Sequence, residues 1–319
     1  MRHNNFASPK GRVESLLTDL IRAHAKVNLH LEVLNRRDDG YHNIFSLMAS
    51  VALHDLLKLE DANLRDSKHA VDIAVAVKNG GGTHGSVTDA IPAQENLIAR
   101  AATLYLEQAR MNGTLVFSVE KNIPAGAGLG GGSSDAAAAL KLLNDRAGKF
   151  TEEALGEIGS KIGADVPYCL RGGFALCRGI GEIVMPVPGA LKSWVVIVND
   201  GIHVDTASAY RSLKRGAEPD AGREKAIGAV TKRIVAAVSR GAAAELNGLA
   251  VNDFEGPVFR QHPKIGRIKE RLLGLDAEFA AMTGSGSSVI GLFAKQEDAE
   301  RARAKLADDY REVIITRFI

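Results

Sequence analysis

The sequence predicts a fold that mixes strands and helices throughout, of the α+β or α/β class, in two domains or one large one. Segments with alternating polar and apolar residues, typical of half-buried strands, are interspersed with segments that repeat apolar residues every three or four positions, as helices do. The chain has 319 residues, against a prior of ~150 residues per domain. We find no internal repeat.

The first predicted strand begins at Ala23 and reads "AHAKVNLHLEVL", with Lys26 and Asn28 on its polar face. It ends in "NRRDDGYHN", where Asp39-Gly40 indicates a tight turn, and "IFSLMASVAL" from Ile44 predicts a second strand. Two more strands are predicted before a long glycine-rich segment, at residues 71–77 and 114–120. A loop is predicted at residues 79–85 and a helix at residues 96–108.

Two helices are predicted after the glycine-rich segment. The first covers residues 134–144, and residues 133–135 (Ser-Ser-Asp) offer capping side chains at its start. The second covers residues 151–162, with Thr151 as its N-cap and Gly163 as its stop.

The rest of the chain continues the mixed pattern. We predict a strand from Trp194, followed by helices at residues 224–239 and 263–273. A further helix at residues 297–308 and a final strand at residues 313–318 are also predicted. The predicted domain boundary lies near "PVPGA" and separates a domain of residues 23–188 from one of residues 189–319. Residues 1–22 form an N-terminal lead.

Composition excludes several classes of protein. The chain is 45% hydrophobic and 24% charged, and its 40 basic and 38 acidic residues give a net charge of +2 without a Lys/Arg block. Nucleic-acid binding by bulk charge is therefore disfavoured. Cys169 and Cys177 lack the partners of a tetrahedral zinc set, so we expect reduced thiols in or near the core.

No targeting or membrane segment is expected. Residues 1–22 have mixed charges and lack the apolar core of a secretory signal. The apolar run "WVVIV" is far shorter than a membrane span. We therefore predict a cytoplasmic protein without a membrane partner.

The glycine-rich segment "PAGAGLGGGSSDAAAAL", residues 124–140, joins a predicted strand to a helix N-terminus. Such a terminus offers free backbone N–H groups and a partial positive charge, which favour a phosphate. A mobile linker is one alternative, although linkers rarely run into a capped helix. Gly126, Gly128 and Gly131 also fit a dinucleotide-binding pattern, but the second strand and acid that this site needs are missing. A nucleotide-triphosphate loop without the usual lysine is the third interpretation.

Three motifs together resemble those of the GHMP kinases. "PAGAGLGGGSSDAAAAL" resembles their second motif, and "MTGSGSSVIGLF" from Met282 resembles their third. "AKVNLHLEVLNRRDDGYHN" resembles the first motif in the branch that acts on a diphosphocytidyl alcohol, and "KIGADVPYCLRGG" is also similar to that branch. The resemblance runs from Ala23 to the C-terminus. It implies a two-domain α+β fold whose N-terminal domain is similar to a ribosomal-protein fold and whose C-terminal domain is an α/β sandwich.

The resemblance implies a catalytic pair. Lys26 of "AKVN" matches the lysine of the first motif, and Asp165 of "GADVP" matches its acidic partner. Asp165 would accept or orient the proton of the substrate hydroxyl, while Lys26 would keep Asp165 charged and stabilise the transferring group. By themselves the two residues would be read as a solvated strand lysine and a turn or capping aspartate.

The resemblance also implies the acceptor-binding residues. Tyr41 and His42 match a pair that engages cytosine, the tyrosine by stacking and the histidine by edge hydrogen bonds. Tyr210 matches a second aromatic and Thr206 a threonine, although "HVDTASAY" departs more from the family wording. Asn28 would contact substrate beside Lys26. Alone, Tyr41 and His42 would be read as a core aromatic and a surface imidazole.

The ATP-binding residues follow from the second and third motifs. The phosphates would be enclosed by Pro124, Ala125, Gly126, Ala127, Gly128, Leu129, Gly130, Gly131, Gly132, Ser133 and Ser134, and the adenine would lie near Asn96, Leu97 and Lys121. Gly284, Ser285 and Gly286 would bring a second backbone segment to the phosphates, or form a surface turn. Mg²⁺ is implied by ATP chemistry rather than by a visible carboxylate set, so no protein metal ligands are predicted.

The resemblance as a whole implies phosphorylation by ATP of the 2-hydroxyl of a diphosphocytidyl sugar alcohol, in the non-mevalonate route to isoprenoid precursors. A homoserine or mevalonate kinase is the nearest alternative, and "RRDDGYH" argues against it. A non-catalytic RNA-binding protein is disfavoured by the near-neutral charge and the phosphate-type motifs. We expect a small-molecule partner with a cytidine diphosphate group, and a monomer or homodimer.

Overall fold

The computed structural model of the chain describes residues 19–65, 72–79 and 96–319. Residues 1–18 of the predicted lead and all but the first residue of the predicted loop 79–85 lie outside the described residues. The described residues form two sheets with helices packed on them.

The N-terminal sheet and its helices are built from β1 (Leu20–Arg36), β2 (His42–Arg65), β3 (Asp72–Asn79), α1 (Leu97–Ala109), β4 (Asn112–Lys121), α2 (Gly131–Ala147), α3 (Glu152–Ile162), α4 (Val166–Arg171), β5 (Phe174–Arg178) and β6 (Ile183–Pro186). The remainder forms β7 (Trp194–Asn199), α5 (Thr206–Ser212), α6 (Ala221–Arg240), a 3₁₀ turn (Ala243–Leu246), α7 (Glu255–Gln261), α8 (Pro263–Leu273), β8 (Phe279–Met282), β9 (Val289–Phe293), α9 (Gln296–Leu306) and β10 (Glu312–Arg317).

The long strand β2 organises the first sheet. It pairs with β1, β4 and β5, and the strand order is β3-β4-β2-β5-β6, with β1 on β2 outside this path. Only β3 and β4 are parallel among the described pairs of this sheet. The second sheet, in the order β10-β7-β9-β8, is antiparallel throughout.

Two apolar cores determine where the sheets meet. In the first, the alanines at positions 136–139 of α2 are buried against α1, α3 and the N-terminal sheet. The second core joins the sheets to one another, because Ala25 and Val27 of β1 cluster with Val195 and Ile197 of β7. The junction between the sheets is therefore packed. The boundary near residues 186–190 stays a prediction.

Most of the predicted elements are confirmed. Strand β1 begins three residues earlier than predicted, at Leu20, and the segment from Ile44 is part of the 24-residue β2. Helix α3 begins after Thr151, whose side chain accepts a hydrogen bond from the Ala154 N–H, and ends at Gly163. The short elements α4, α5, α7, β5, β6, β8 and β9 were not predicted, since each is too brief to show a clear period.

The predicted cap of α2 is wrong. The helix begins at Gly131, its N-cap is the left-handed Gly130, and no side chain caps it. Residues 133–135 lie inside the first turn instead. The physical reason is that their side chains have other partners: the Ser134 hydroxyl donates to the His24 carbonyl, and Asp135 pairs with Lys121.

The two cysteines are free, as expected. Cys177 is buried and Cys169 is half-buried, and burial raises the pKa of each thiol to about 12. Both are therefore neutral near pH 7. In the part of the chain that the structure describes, no helix is both long enough and apolar enough to cross a membrane.

Candidate active site

Lys26 and Asp165 form an ion pair at the junction of the two sheets. Lys26 of β1 is 4% exposed, and its Nζ lies 3.4 Å from Oδ2 of Asp165, whose side chain is 29% exposed. Asp165 stands at the N-cap of α4 but makes no side-chain capping bond. Its carboxylate is thus turned to Lys26 while one side stays open to solvent, as a group that must meet a substrate hydroxyl requires.

Asn28 ties this pair to the third glycine motif. Its Oδ1 accepts from Lys26 Nζ at 2.8 Å and from the Gly284 N–H at 3.0 Å, and its Nδ2 donates to Ser46 at 2.8 Å. The Asn28 N–H donates to the Thr283 hydroxyl at 2.9 Å. The structure therefore places Asn28 mainly as a residue that positions Lys26 and the motif.

The second and third glycine motifs are in direct contact. Gly128 has φ 76°, and a Cβ there would lie 2.5 Å from the Thr283 carbonyl oxygen and 2.9 Å from that of Gly286. The Lys26 N–H also donates to the Leu129 carbonyl at 3.0 Å. The backbones of β1 and both motifs therefore meet within one small volume, and only glycine fits at Gly128.

The start of α2 faces this volume. With no capping side chain, its first N–H groups are open to an anion, and the helix dipole adds a partial positive charge. Ser134 is buried and bonded to His24, which leaves the half-exposed Ser133 as the hydroxyl available in the first turn. Leu97 packs near Gly132, and Asn96 caps α1 by accepting from the Ile98 N–H at 2.9 Å. The predicted adenine and phosphate residues are thus neighbours here.

Lys121 is held by carboxylates. Its Nζ pairs with Asp55 and, at 2.6 Å, with Asp135 of α2. Burial disfavours its charged form, but the two carboxylates raise the pKa of Lys121 above its usual value. Burial raises the pKa of Asp135 to about 7. The ammonium therefore braces the first turn of α2, beside the expected adenine position. Sequence reasoning missed Asp55, which nothing in the local pattern marks, and read Asp135 only as a capping side chain.

The predicted cytosine residues lie in the turn between β1 and β2, at the start of β2 and on α5. Tyr41 is 60% exposed, while the half-buried His42 stacks on Tyr210 with ring centroids 5.1 Å apart and 28° between planes. Tyr210 also meets Phe254 edge-on at 4.8 Å. Burial, followed by the positive charges of Arg36 and Arg215, lowers the pKa of His42 below 6.5. The imidazole is therefore neutral near pH 7.

Thr206 connects this region to the third glycine motif, because its hydroxyl lies 2.9 Å from that of Ser285. A further residue that sequence reasoning missed is the buried Asn252. Its Nδ2 donates to the carbonyls of Met282 and Gly284, at 2.7 and 2.9 Å. These bonds fix both ends of the turn that enters the site.

Comparisons with known proteins agree with this geometry. The model of the GHMP kinases N terminal domain matches residues 96–173, and that of the GHMP kinases C terminal matches residues 234–312. A solved homoserine kinase from Cytophaga hutchinsonii shares the fold, with a TM-score of 0.69, 19% identity and coverage of 97% of this chain and 98% of that one. Fold and site together therefore define a GHMP kinase, and the two-domain α+β fold of that class is confirmed.

Relatives with higher sequence identity belong to one particular type of GHMP kinase. The 4-diphosphocytidyl-2-C-methyl-D-erythritol kinase of Solibacter usitatus is 37% identical, covering 93% of this chain and 89% of the relative. That of Alkaliphilus metalliredigens is 36% identical, with coverage of 92% and 94%. A crystal structure of 4-(cytidine 5'-diphospho)-2C-methyl-D-erythritol kinase has a TM-score of 0.70 at 33% identity and covers 94% of this chain and 98% of its own. The chain belongs to the 4-diphosphocytidyl-2-C-methyl-D-erythritol kinase family.

Proposed function

We propose that the protein transfers the γ-phosphate of ATP to the 2-hydroxyl of 4-diphosphocytidyl-2-C-methyl-D-erythritol, a step of the non-mevalonate route to isoprenoid precursors. The observation that carries this proposal is the Lys26–Asp165 ion pair beside two touching glycine motifs. Phosphoryl transfer needs positioning, charge neutralisation and a group that orients the nucleophile, and these parts supply all three.

Asp165 accepts or orients the proton of the acceptor hydroxyl. Its carboxylate is partly open to solvent, and its Oδ2 lies 3.4 Å from Lys26 Nζ. Lys26 in turn is fixed by Asn28, so its ammonium also faces the place where charge develops on the transferring group.

The ATP phosphates bind at the open N–H groups of α2 and along residues 124–134. The half-exposed Ser133 hydroxyl in the first turn of α2 would hold Mg²⁺ together with the phosphates, and the ion would supply positive charge that offsets theirs.

Cytosine stacks on the exposed ring of Tyr41, and the neutral imidazole of His42 bonds to the base edge. Because the His42 and Tyr210 rings are already in contact, Tyr210 supports the His42 ring, or else the two must separate to admit the base between them. Thr206, joined to Ser285, lies between the base region and the phosphates. The cytoplasmic location and the monomeric or dimeric state remain predictions.

The test is ATP turnover by the purified protein with three acceptors: the diphosphocytidyl methylerythritol, homoserine and mevalonate. We expect turnover with the first alone. Turnover only with homoserine or mevalonate would contradict the acceptor but retain the kinase. No turnover with any acceptor, combined with RNA binding, would favour the non-catalytic alternative.

A further inference from the structure

A cavity outside the ATP loop has a volume of about 260 Å³. Its walls come from the start of β1, from α2, from the end of α4 and from Ile319. The cavity is smaller than the ~300–1,000 Å³ of a typical drug-sized ligand site, so its ligand would be smaller than a nucleotide.

Positive charge dominates the lining of this cavity. Arg22, Lys141 and Arg171 all line it, together with His24, and no Asp or Glu does. Lys141 is half-buried on α2, whereas the two arginines stand at the exposed rim. These cations therefore line one half-open cavity, with Lys141 inside it and the two arginines at its mouth.

Within the described residues, none of the three cations forms a direct ion pair with a carboxylate, including that of Ile319. Burial lowers the pKa of Lys141, and Cys169, Glu152 and Asp145 oppose that effect. Arg171 interacts electrostatically with Glu153 without pairing directly with it. Burial and the nearby positive charges, including those of Arg22 and Lys141, also lower the pKa of His24.

Cations that line one cavity favour the binding of an anion there. Ser50, Gly172 and Gly173 also line the cavity, but their hydroxyl and N–H groups are used in hydrogen bonds within the protein, so the three cations are what would hold a ligand. We propose that this cavity binds a small anion with two or more negative charges, in the chemical class of inorganic pyrophosphate and short phosphate esters.

The cavity is separate from the ATP loop but shares elements with it. Ser134, in the first turn of α2, lines the cavity and donates its hydroxyl to the His24 carbonyl, away from the expected phosphates. Cys169, one turn beyond Asp165 on α4, lines it too. Because pyrophosphate can also bind at the ATP loop, a test must keep that loop filled.

The test is calorimetric titration of the full chain with inorganic pyrophosphate at constant ionic strength, with and without a saturating non-hydrolysable ATP analogue. The proposal predicts one pyrophosphate per chain when the analogue is present. Lys141→Met, which keeps the length of the side chain, should weaken that binding about tenfold or more. Lys192→Met, at an exposed position outside the cavity, is the matched control and should bind as the wild type does.

A second measurement separates binding from structure. Because burial disfavours the charged form of Lys141, Lys141→Met should melt at the same temperature as the wild type or higher. Arg22→Gln, at the exposed rim, should weaken pyrophosphate binding without changing the fold. Loss of pyrophosphate binding when the analogue is added would overturn the proposal. So would unchanged affinity in both Lys141→Met and Arg22→Gln.

Discussion

Gly128 and Thr283 meet so closely that a Cβ on the glycine would lie 2.5 Å from the threonine carbonyl oxygen. One residue belongs to the second glycine motif and the other to the third, so this contact sets the spacing of the two loops. Any side chain at position 128 must push them apart, because the obstacle is backbone and cannot rotate away.

Gly128→Ala should therefore raise the KM for ATP and lower the free energy of unfolding by about 2 kcal/mol or more. The new Cβ would overlap the Thr283 carbonyl, and alanine is also strained at this left-handed φ. Gly126→Ala is the matched control. It has a similar φ of 65°, but its nearest neighbour, His203, would be 3.8 Å from the new Cβ. It should cost only about 1 kcal/mol in urea denaturation. Equal losses in the two variants would contradict the role of the contact.

Tyr41→Ala should raise the KM for the diphosphocytidyl acceptor about 5- to 150-fold, the range expected for losing one base-stacking face. The ring is 60% exposed, so the melting temperature and the KM for ATP should stay unchanged. Tyr41→Phe keeps the ring and should bind the acceptor as the wild type does. Steady-state kinetics with each substrate varied in turn measure all three effects. An acceptor KM that is unaffected by Tyr41→Ala would place cytosine elsewhere.

The pH dependence of acceptor binding should report His42. Its pKa is lowered below 6.5, so the imidazole is neutral at pH 7 and gains its proton only as the pH falls below 6.5. Protonation removes the acceptor nitrogen that the base edge uses. The acceptor KM should thus be flat from pH 8 to pH 6.5 and rise at lower pH. His42→Asn should lack that rise, and a persistent rise in this variant would assign the titration to another group.

The sequence predicts the long elements well because their hydrophobic period is strong. Strand β1 and helices α3, α6 and α8 lie within a few residues of their predicted bounds. The start of α2 was predicted wrongly, because the serine rule for N-caps assumes free hydroxyls, and Ser134 bonds across space to the His24 carbonyl. A partner that lies far away in sequence cannot be read from local pattern.

The sequence predicted individual residues of the site but not the contacts between them. Lys26 and Asp165 came from the family resemblance, and neither residue is distinctive alone. The bonds of Asn252 to the third motif and the pairing of Asp55 with Lys121 exist only once the chain has folded. Asn28 shows the same limit: its side chain is engaged by Lys26, Ser46 and Gly284, which its place on a polar strand face does not reveal.

The central claim is that Asp165 serves phosphoryl transfer to the diphosphocytidyl alcohol, and single-turnover kinetics with phosphorus NMR of the product test it most directly. The wild type should form one new phosphate monoester at the 2-position. Asp165→Asn should form this monoester at least about 100-fold more slowly, with little change in ATP affinity or melting temperature. Equal rates in the two proteins would contradict the catalytic role of Asp165, and a monoester at another hydroxyl would contradict the proposed reaction.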